Sequence, residues 1–195
     1  MVLIVESDPT RVEVALVRGQ LACPHCDGEL RPWGRARART LRRSSGEERH
    51  RPRRSRCSSC KATSVLLSDV ALVRRVDEAA VIGQALLARA AGAGQRAIAA
   101  TLSRPRETVR GWLQRFSARA EALAAHFAAW ALALDARLDE VVPSPSCFDA
   151  ALEAIGLATR AASILLGPRP VWSWASAMTG GGLLSNTSTP FPAPA

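Results

Sequence analysis

Four cysteines stand in two pairs of the same spacing, Cys23 and Cys26 in CPHC and Cys57 and Cys60 in CSSC. Two intervening residues let both thiolates of a pair reach one ion. Two such turns facing each other complete the tetrahedral, all-thiolate shell that Zn²⁺ favours. Pro24 stiffens the first turn, and Gly28 frees the backbone as the chain leaves it. The spacing therefore predicts one structural Zn²⁺ held by Cys23, Cys26, Cys57 and Cys60. Two other readings compete: a redox dithiol and plain buried cysteines. The redox reading wants one pair opening the helix of a βαβ unit, and neither pair has that setting. His25 and His50 are not needed as ligands, because four thiolates fill the shell and an exposed basic strand accounts for His50. Cys147 stands alone and reads as a small buried residue.

The segment between the pairs is loaded with arginine. Arg35, Arg37 and Arg39 alternate with Ala36, Ala38 and Thr40, a period of two that predicts three guanidiniums on one face of a strand. SSGEE supplies a turn, and Arg49, Arg51 and Arg53 alternate on the return. This is the pattern of a β-hairpin tipped away from a metal site, a zinc ribbon. Its residues 21–64 carry too few apolar side chains to fold unaided, so the metal must supply the missing core, at roughly 10–16 kcal/mol in small domains. The ribbon arginines Arg35, Arg37, Arg39, Arg51 and Arg53 are then available to face phosphates. A solvated Arg-rich strand without a ligand is the plainer alternative.

Charge distribution agrees with a polyanionic partner. The 195 residues carry a net charge of +9. Between Leu21 and Ser64 there are twelve basic and four acidic residues, and between Val65 and Ala120 nine and four. Both ends are slightly acidic, so the positive charge is confined to the middle of the chain. Lys61 is the only lysine and alanine is abundant. A coding bias toward Arg and Ala explains that choice but not the clustering. Hydrophobic content of 48% allows a packed core. No apolar run is long enough to span a bilayer, the N-terminus is a poor secretion signal, and a cytoplasmic, nucleoid-associated location is expected.

Stepping outward from the pairs, VLIVES predicts a strand. Asp8, Pro9 and Gly19 mark the cap, first turn and stop of a short helix. From about Asp77 the pattern is helical. DEAAVIGQALLARAAG, QRAIAATL and RETVRGWLQRF form three successive segments, the last two separated by Ser103, Arg104 and Pro105. Ile98, Ala99 and Leu102 face inward on the second, and Thr108, Val109, Trp112 and Phe116 on the third. A helix followed by two short ones across a tight turn is the tri-helical DNA-binding plan. On it Arg104, Arg106, Glu107, Arg110, Gln114 and Arg115 are set toward base edges and phosphates. A helical hairpin without a DNA role would share the apolar pattern but would not need the arginine stripe.

CPHC…CSSC followed by RAIAATLSRPRETVRGWLQRF resembles the N-terminal half of insertion-sequence transposases, where a zinc ribbon precedes a helix-turn-helix. The whole chain also looks like an uncharacterised family of short Arg/Ala-rich actinobacterial proteins. The resemblance covers roughly residues 1–120. It implies sequence-specific DNA binding through the stretch from Arg104 to Arg115. Ser103 stands where such turns commonly carry glycine, and the transposase catalytic domain is missing. Only about 75 residues follow the helices, and Asp135, Asp139, Glu140, Asp149 and Glu153 do not form the converging carboxylate set a nuclease needs. The chain reads as a non-enzyme with no evident small-molecule substrate.

The remaining pattern is a stripe of Phe116, Ala120, Leu123, Phe127, Trp130 and Leu134, spaced as a heptad seam. It suits either pairing of two copies through a helix spanning 116–138 or packing on the chain's own last helix, from Phe148 to Leu166. The fold expected is α+β but mostly α. Residues 1–20 form a strand and helix, 21–70 the zinc ribbon, 71–118 the helix-turn-helix, 119–166 a helical dimerisation or docking region, and 167–195 a largely disordered tail. The function expected is sequence-specific duplex DNA binding, as a transcriptional regulator or transposition-associated protein. The rivals are an RNA-binding or protein-docking ribbon adaptor, and a remnant or accessory subunit of a transposase.

Overall fold

The computed structural model describes residues 1–26, 28–138, 144–186 and 191–192. Within them the chain is α+β, with six strands followed in sequence by most of the helices. Strand β1 (Val2–Val5) leads to helix α1 (Pro9–Val17). The Asp8 carboxylate caps that helix by accepting from the amides of Thr10 and Arg11 at 2.8 and 3.3 Å. Gly19 ends the excursion at a φ of 70°, where a side chain would be strained.

Strands β2 (Leu30–Arg35), β5 (Arg53–Cys57) and β6 (Thr63–Ser68) join β1 in one sheet of order β1-β6-β5-β2. β1 runs parallel to β6, with Val2 opposite Val65 and Val5 opposite Ser68. Helix α1 lies against this sheet, so Val12 and Leu16 share a small core with Leu30, Leu66 and the buried Cys23 and Cys57. The cysteine-bearing segment thus draws apolar partners from the first twenty residues.

Strands β3 (Arg39–Arg43) and β4 (Gly46–His50) form a separate hairpin that turns at Ser44 and Ser45. This changes the expected ribbon. Arg35 ends β2 and Arg39 begins β3, with residues 36–38 outside any strand and a register irregularity between Pro32 and Arg35. Arg35, Arg37 and Arg39 therefore do not share one strand face, and Arg49 lies on a different strand pair from Arg53.

The rest is helical: α2 (Ala79–Ala90), α3 (Gln95–Thr101), α4 (Arg106–Ser117), α5 (Ala120–Leu134), α6 (Cys147–Leu166) and α7 (Val171–Met178). One continuous core runs through Ile82, Leu86, Ile98, Val109, Phe116, Leu123, Phe127, Ile155 and Trp174. The heptad stripe is used inside the chain. Phe116, Ala120, Leu123 and Phe127 are buried and Trp130 and Leu134 lean on the same core. Phe116 meets Phe148 of α6 edge to face at 4.8 Å between ring centres. Within the chain the stripe packs on α6.

Three further expectations change. The 167–195 segment is not a bare tail, because α7 is a buried helix and Leu183 and Leu184 are buried beyond it. Trp172 is what anchors it: a Cβ on Gly83 of α2 would fall 1.9 Å from the indole, so the two helices meet with no room for a side chain. Cys147, expected to be buried, is exposed at the start of α6. The helix expected over 116–138 is split, since Phe116 belongs to α4, which ends at Ser117, and α5 runs only from Ala120 to Leu134, so Asp135 lies past its end. Asp139, Glu140 and residues 187–190 and 193–195 of the predicted disordered ending lie outside the described residues. No single described helix is long and apolar enough to cross a membrane.

Candidate functional site

The two cysteine pairs come together at one end of the antiparallel β2–β5 pairing. Cys23 and Cys26 precede β2, whose Leu30 stands opposite Cys57 at the end of β5. Two turns hold the sulfurs. The Cys23 amide donates to Gly28 O at 2.7 Å, and the Cys57 amide donates to Ala62 O at 2.9 Å. Gly28 is tight against the second turn, since a Cβ there would come within 2.5 Å of Ser59 Oγ. Lys61, at a φ of 63°, completes the return.

All four sulfurs lie within 4.8 Å of one another. The cross-pair distances are 3.7 Å for Cys23 to Cys60 and 3.6 Å for Cys26 to Cys57. A tetrahedron with metal–sulfur bonds of about 2.3 Å has edges of about 3.8 Å, so the four residues fit one ion. The fifth cysteine takes no part. Without an ion the thiols compete for charge. Burial works against a Cys57 thiolate, yet the backbone amides of Cys60 and Ser59 outweigh it and draw the group down to about 6. The Ala62 amide favours a Cys60 thiolate, but the crowded sulfurs, Cys26 first, push it up to about 11. One sulfur ready to ionise beside one that resists is a state a divalent cation resolves, by holding the four as thiolates. His25 is exposed at the first turn and His50 is half-buried, its pKa lowered mainly by burial.

The expected phosphate-facing arginines are divided. Arg35, Arg51 and Arg53 line one cleft of about 350 Å³ between α1 and the sheet. Arg53 is already engaged there, making two hydrogen bonds to the Glu13 carboxylate at 2.7 and 2.8 Å. Arg37 is exposed in the link between β2 and β3, and Arg39 donates to the carbonyl of Arg75.

On the helices, α3 and α4 are joined by residues 102–105, with Ser103 at a φ of 51°. That is the left-handed conformation glycine would take at lowest cost. Arg106, Glu107, Arg110 and Gln114 are exposed along α4, opposite the buried Val109, Trp112, Leu113 and Phe116. Arg110 and Glu107 pair at 2.5 Å. Arg115 is half-buried and donates to Asn186 Oδ1 at 3.0 Å and to Gly111 O at 2.8 Å.

Arg104 is turned inward instead of outward. Its Nε donates to Asp77 Oδ1 at 2.6 Å, while Arg42 of β3 donates to Asp77 Oδ2 at 2.8 Å. Asp77 is 2% exposed and Arg104 11%. Arg104 also donates to the carbonyls of Leu102 and Arg43 at 3.1 and 3.0 Å. This cluster ties the β3–β4 hairpin, the start of α2 and the α3–α4 turn to one buried carboxylate. Arg42, 35 positions from Asp77, gave no local sign of the contact. DEAAV with Asp at its head carried the only hint, a residue type that caps helices and here anchors two arginines instead.

Comparison with protein-family models, with curated proteins and with solved structures finds no match for this chain. The likeness to transposases rests on the quoted motifs alone. What the chain has in its own right is a four-cysteine centre able to hold a metal ion, and a helix pair locked to a hairpin through Asp77.

Proposed function

We propose that the chain is a non-catalytic, sequence-specific duplex DNA-binding protein, in which Zn²⁺ braces a ribbon and α3–α4 serve as a helix-turn-helix. The observation that carries this reading is α4 itself. Its apolar face is fully used in the core, while on the opposite face Arg106, Glu107 and Arg110 stand exposed in its N-terminal half and Gln114 stands exposed further along. In a recognition helix that half meets the base edges of the major groove, where arginine pairs with guanine through two hydrogen bonds. Four sulfurs within 4.8 Å of one another, with two cross-pair distances of 3.7 and 3.6 Å, suit all-thiolate binding of Zn²⁺, which has no redox chemistry to interfere. The Asp77 cluster then has a purpose beyond folding, because it fixes the basic hairpin beside the turn that presents α4.

Regulation of transcription and service in a transposition system remain the two contexts for this activity, with the cytoplasmic nucleoid as its place. The ribbon supports a second reading, binding of single-stranded RNA. Trp33 is 51% exposed and the Arg56 guanidinium lies 4.7 Å from its ring centre, an arrangement on which a base can stack. Duplex DNA and single-stranded RNA of matched length, compared in one titration, separate the two. Arg106→Ala and Arg110→Ala then test the recognition helix: each is expected to relax sequence preference by about 1–3 kcal/mol at one base pair. Equal discrimination by parent and both variants would overturn the assignment.

A further inference from the structure

Three partly buried arginines gather near the C-terminal end of α4. Arg75, Arg115 and Arg119 meet no carboxylate within ion-pair distance among the described residues. Apart from Gly111 O, to which Arg115 donates within α4, their acceptors are neutral oxygens of the strap that follows α7. Arg75 donates to Leu184 O at 2.7 Å and Arg119 to Gly182 O at 2.8 Å. Between them, Asn186 Oδ1 accepts from both Arg115, at 3.0 Å, and Arg75, at 3.4 Å. Two clefts of about 450 and 530 Å³ open on this spot and share Arg119, Ser185 and Asn186 in their walls. The smaller is also lined by Gly111 and Gln114, which places it directly beside the exposed face of α4.

The geometry points to a phosphate-binding site formed by Arg75, Arg115 and Arg119, in which Asn186 Oδ1 occupies the position of a phosphate oxygen and the group bound is a backbone phosphate of the duplex. This deepens the duplex-binding reading and rests on it. A single amide oxygen shared between two guanidiniums carries too little charge for its neighbours, whereas a phosphate offers several oxygens matched to the arginine fork. Arg75 Nε is buried without any acceptor, a donor an added oxygen would satisfy. Burial lowers the pKa of Arg75, with the charge of Arg115 adding to it, and burial lowers that of Arg119. An anion relieves both penalties. Bound there, a phosphate would fix the depth at which α4 sits in the groove, by gripping the backbone at the opposite end of the helix from Arg106 and Arg110.

Asn186→Asp decides the matter, since it fills the site with a permanent carboxylate while keeping the side chain's size. Affinity for a mixed-sequence duplex is measured from 50 to 200 mM salt by fluorescence anisotropy, with Arg75→Gln alongside. Loss of one phosphate contact flattens the slope of log K on log salt by about 0.9, so the affinity drop over this range shrinks about threefold. That result is expected for both variants, together with a raised Tm for Asn186→Asp, whose carboxylate pairs with two arginines. A raised Tm with an unchanged slope would mean that the arginines only staple the strap, and would overturn the inference. So would a parent that gains thermal stability in inorganic phosphate over chloride of equal ionic strength while both variants keep its duplex slope; the ligand would then be free phosphate. A parent that binds no duplex at any salt sinks the duplex-binding reading and this site with it, a result distinct from an unchanged slope.

Discussion

Replacing Asp77 by asparagine is the most revealing single change outside the cysteines. The substitution keeps the shape and removes one negative charge from a site 2% exposed. Arg104, itself 11% exposed, keeps its carbonyl acceptors on Leu102 and Arg43 but loses the anion that balances it. Arg42 is 28% exposed and can recover part of its loss from water. Removing one partner of a buried ion pair costs about 3–5 kcal/mol. With one arginine buried and the other half-relieved, the lower end, about 3 kcal/mol, is expected. For a chain of this length that corresponds to a fall in Tm of roughly 6–12 °C. Thermal unfolding followed by far-ultraviolet circular dichroism measures it. Metal uptake, read from the visible spectrum of the cobalt-loaded protein, should not change, because Asp77 belongs to the helical junction and not to the cysteine turns. Asp77→Leu combined with Arg104→Met and Arg42→Met should recover much of the loss, since apolar residues of similar volume often replace a buried ionic cluster at little cost. A shift below about 1 kcal/mol for Asp77→Asn would show that the junction does not depend on this charge, and the clamp would have to be abandoned.

Other perturbations test separate links. Gly83→Ala should destabilise the protein by about 1–3 kcal/mol despite the better helix propensity of alanine, because the new methyl overlaps the Trp172 indole; urea unfolding reads the change, and a gain in stability would contradict the packing. Chelation, or Cys57→Ser, should open the 21–68 region to proteolysis while the helical signal of α2–α7 survives, since those helices carry their own core; simultaneous loss of both would mean the metal centre supports the whole chain. Asp69 is 1% exposed, and its pKa is raised chiefly by burial, against the opposing charge of Arg169. The native state therefore holds a proton more tightly than the unfolded chain, so this group's contribution to stability falls as pH rises from the unfolded carboxylate value, about 3.9, through the higher native one. Asp69→Asn should remove that component of the pH profile, and an identical profile would refute it.

The sequence displays some of this structure plainly and hides the rest for physical reasons. Asp8, Pro9 and Gly19 act within one turn of α1, and the two C-x-x-C turns act within four residues each, so local spacing sufficed. Ser103 marked the turn between α3 and α4 even without glycine, because Pro105 and the apolar periods on either side bracket it. The ribbon's alternating arginines misled, since a period of two is blind to the break at residues 36–38 that splits one strand into two. Helix α7 was missed because its eight residues lie between prolines and a Gly- and Ser-rich stretch, and its stability comes from Trp172 seated on Gly83, a contact across 89 positions that no local pattern reveals. The inward turn of Arg104 belongs to the same class. Its aspartate lies 27 residues away, and an arginine beside a helix start looks alike whether it faces solvent or a buried carboxylate.

Selection of bound duplexes from a random pool, run with the zinc-loaded parent and with the Arg106→Ala, Arg110→Ala double variant, tests the central proposal most directly. A defined motif is expected for the parent, degraded at one or two base pairs in the variant while bulk affinity for mixed DNA changes little. Recovery of the pool unenriched by the parent, or of the same motif at full strength by both proteins, would contradict it.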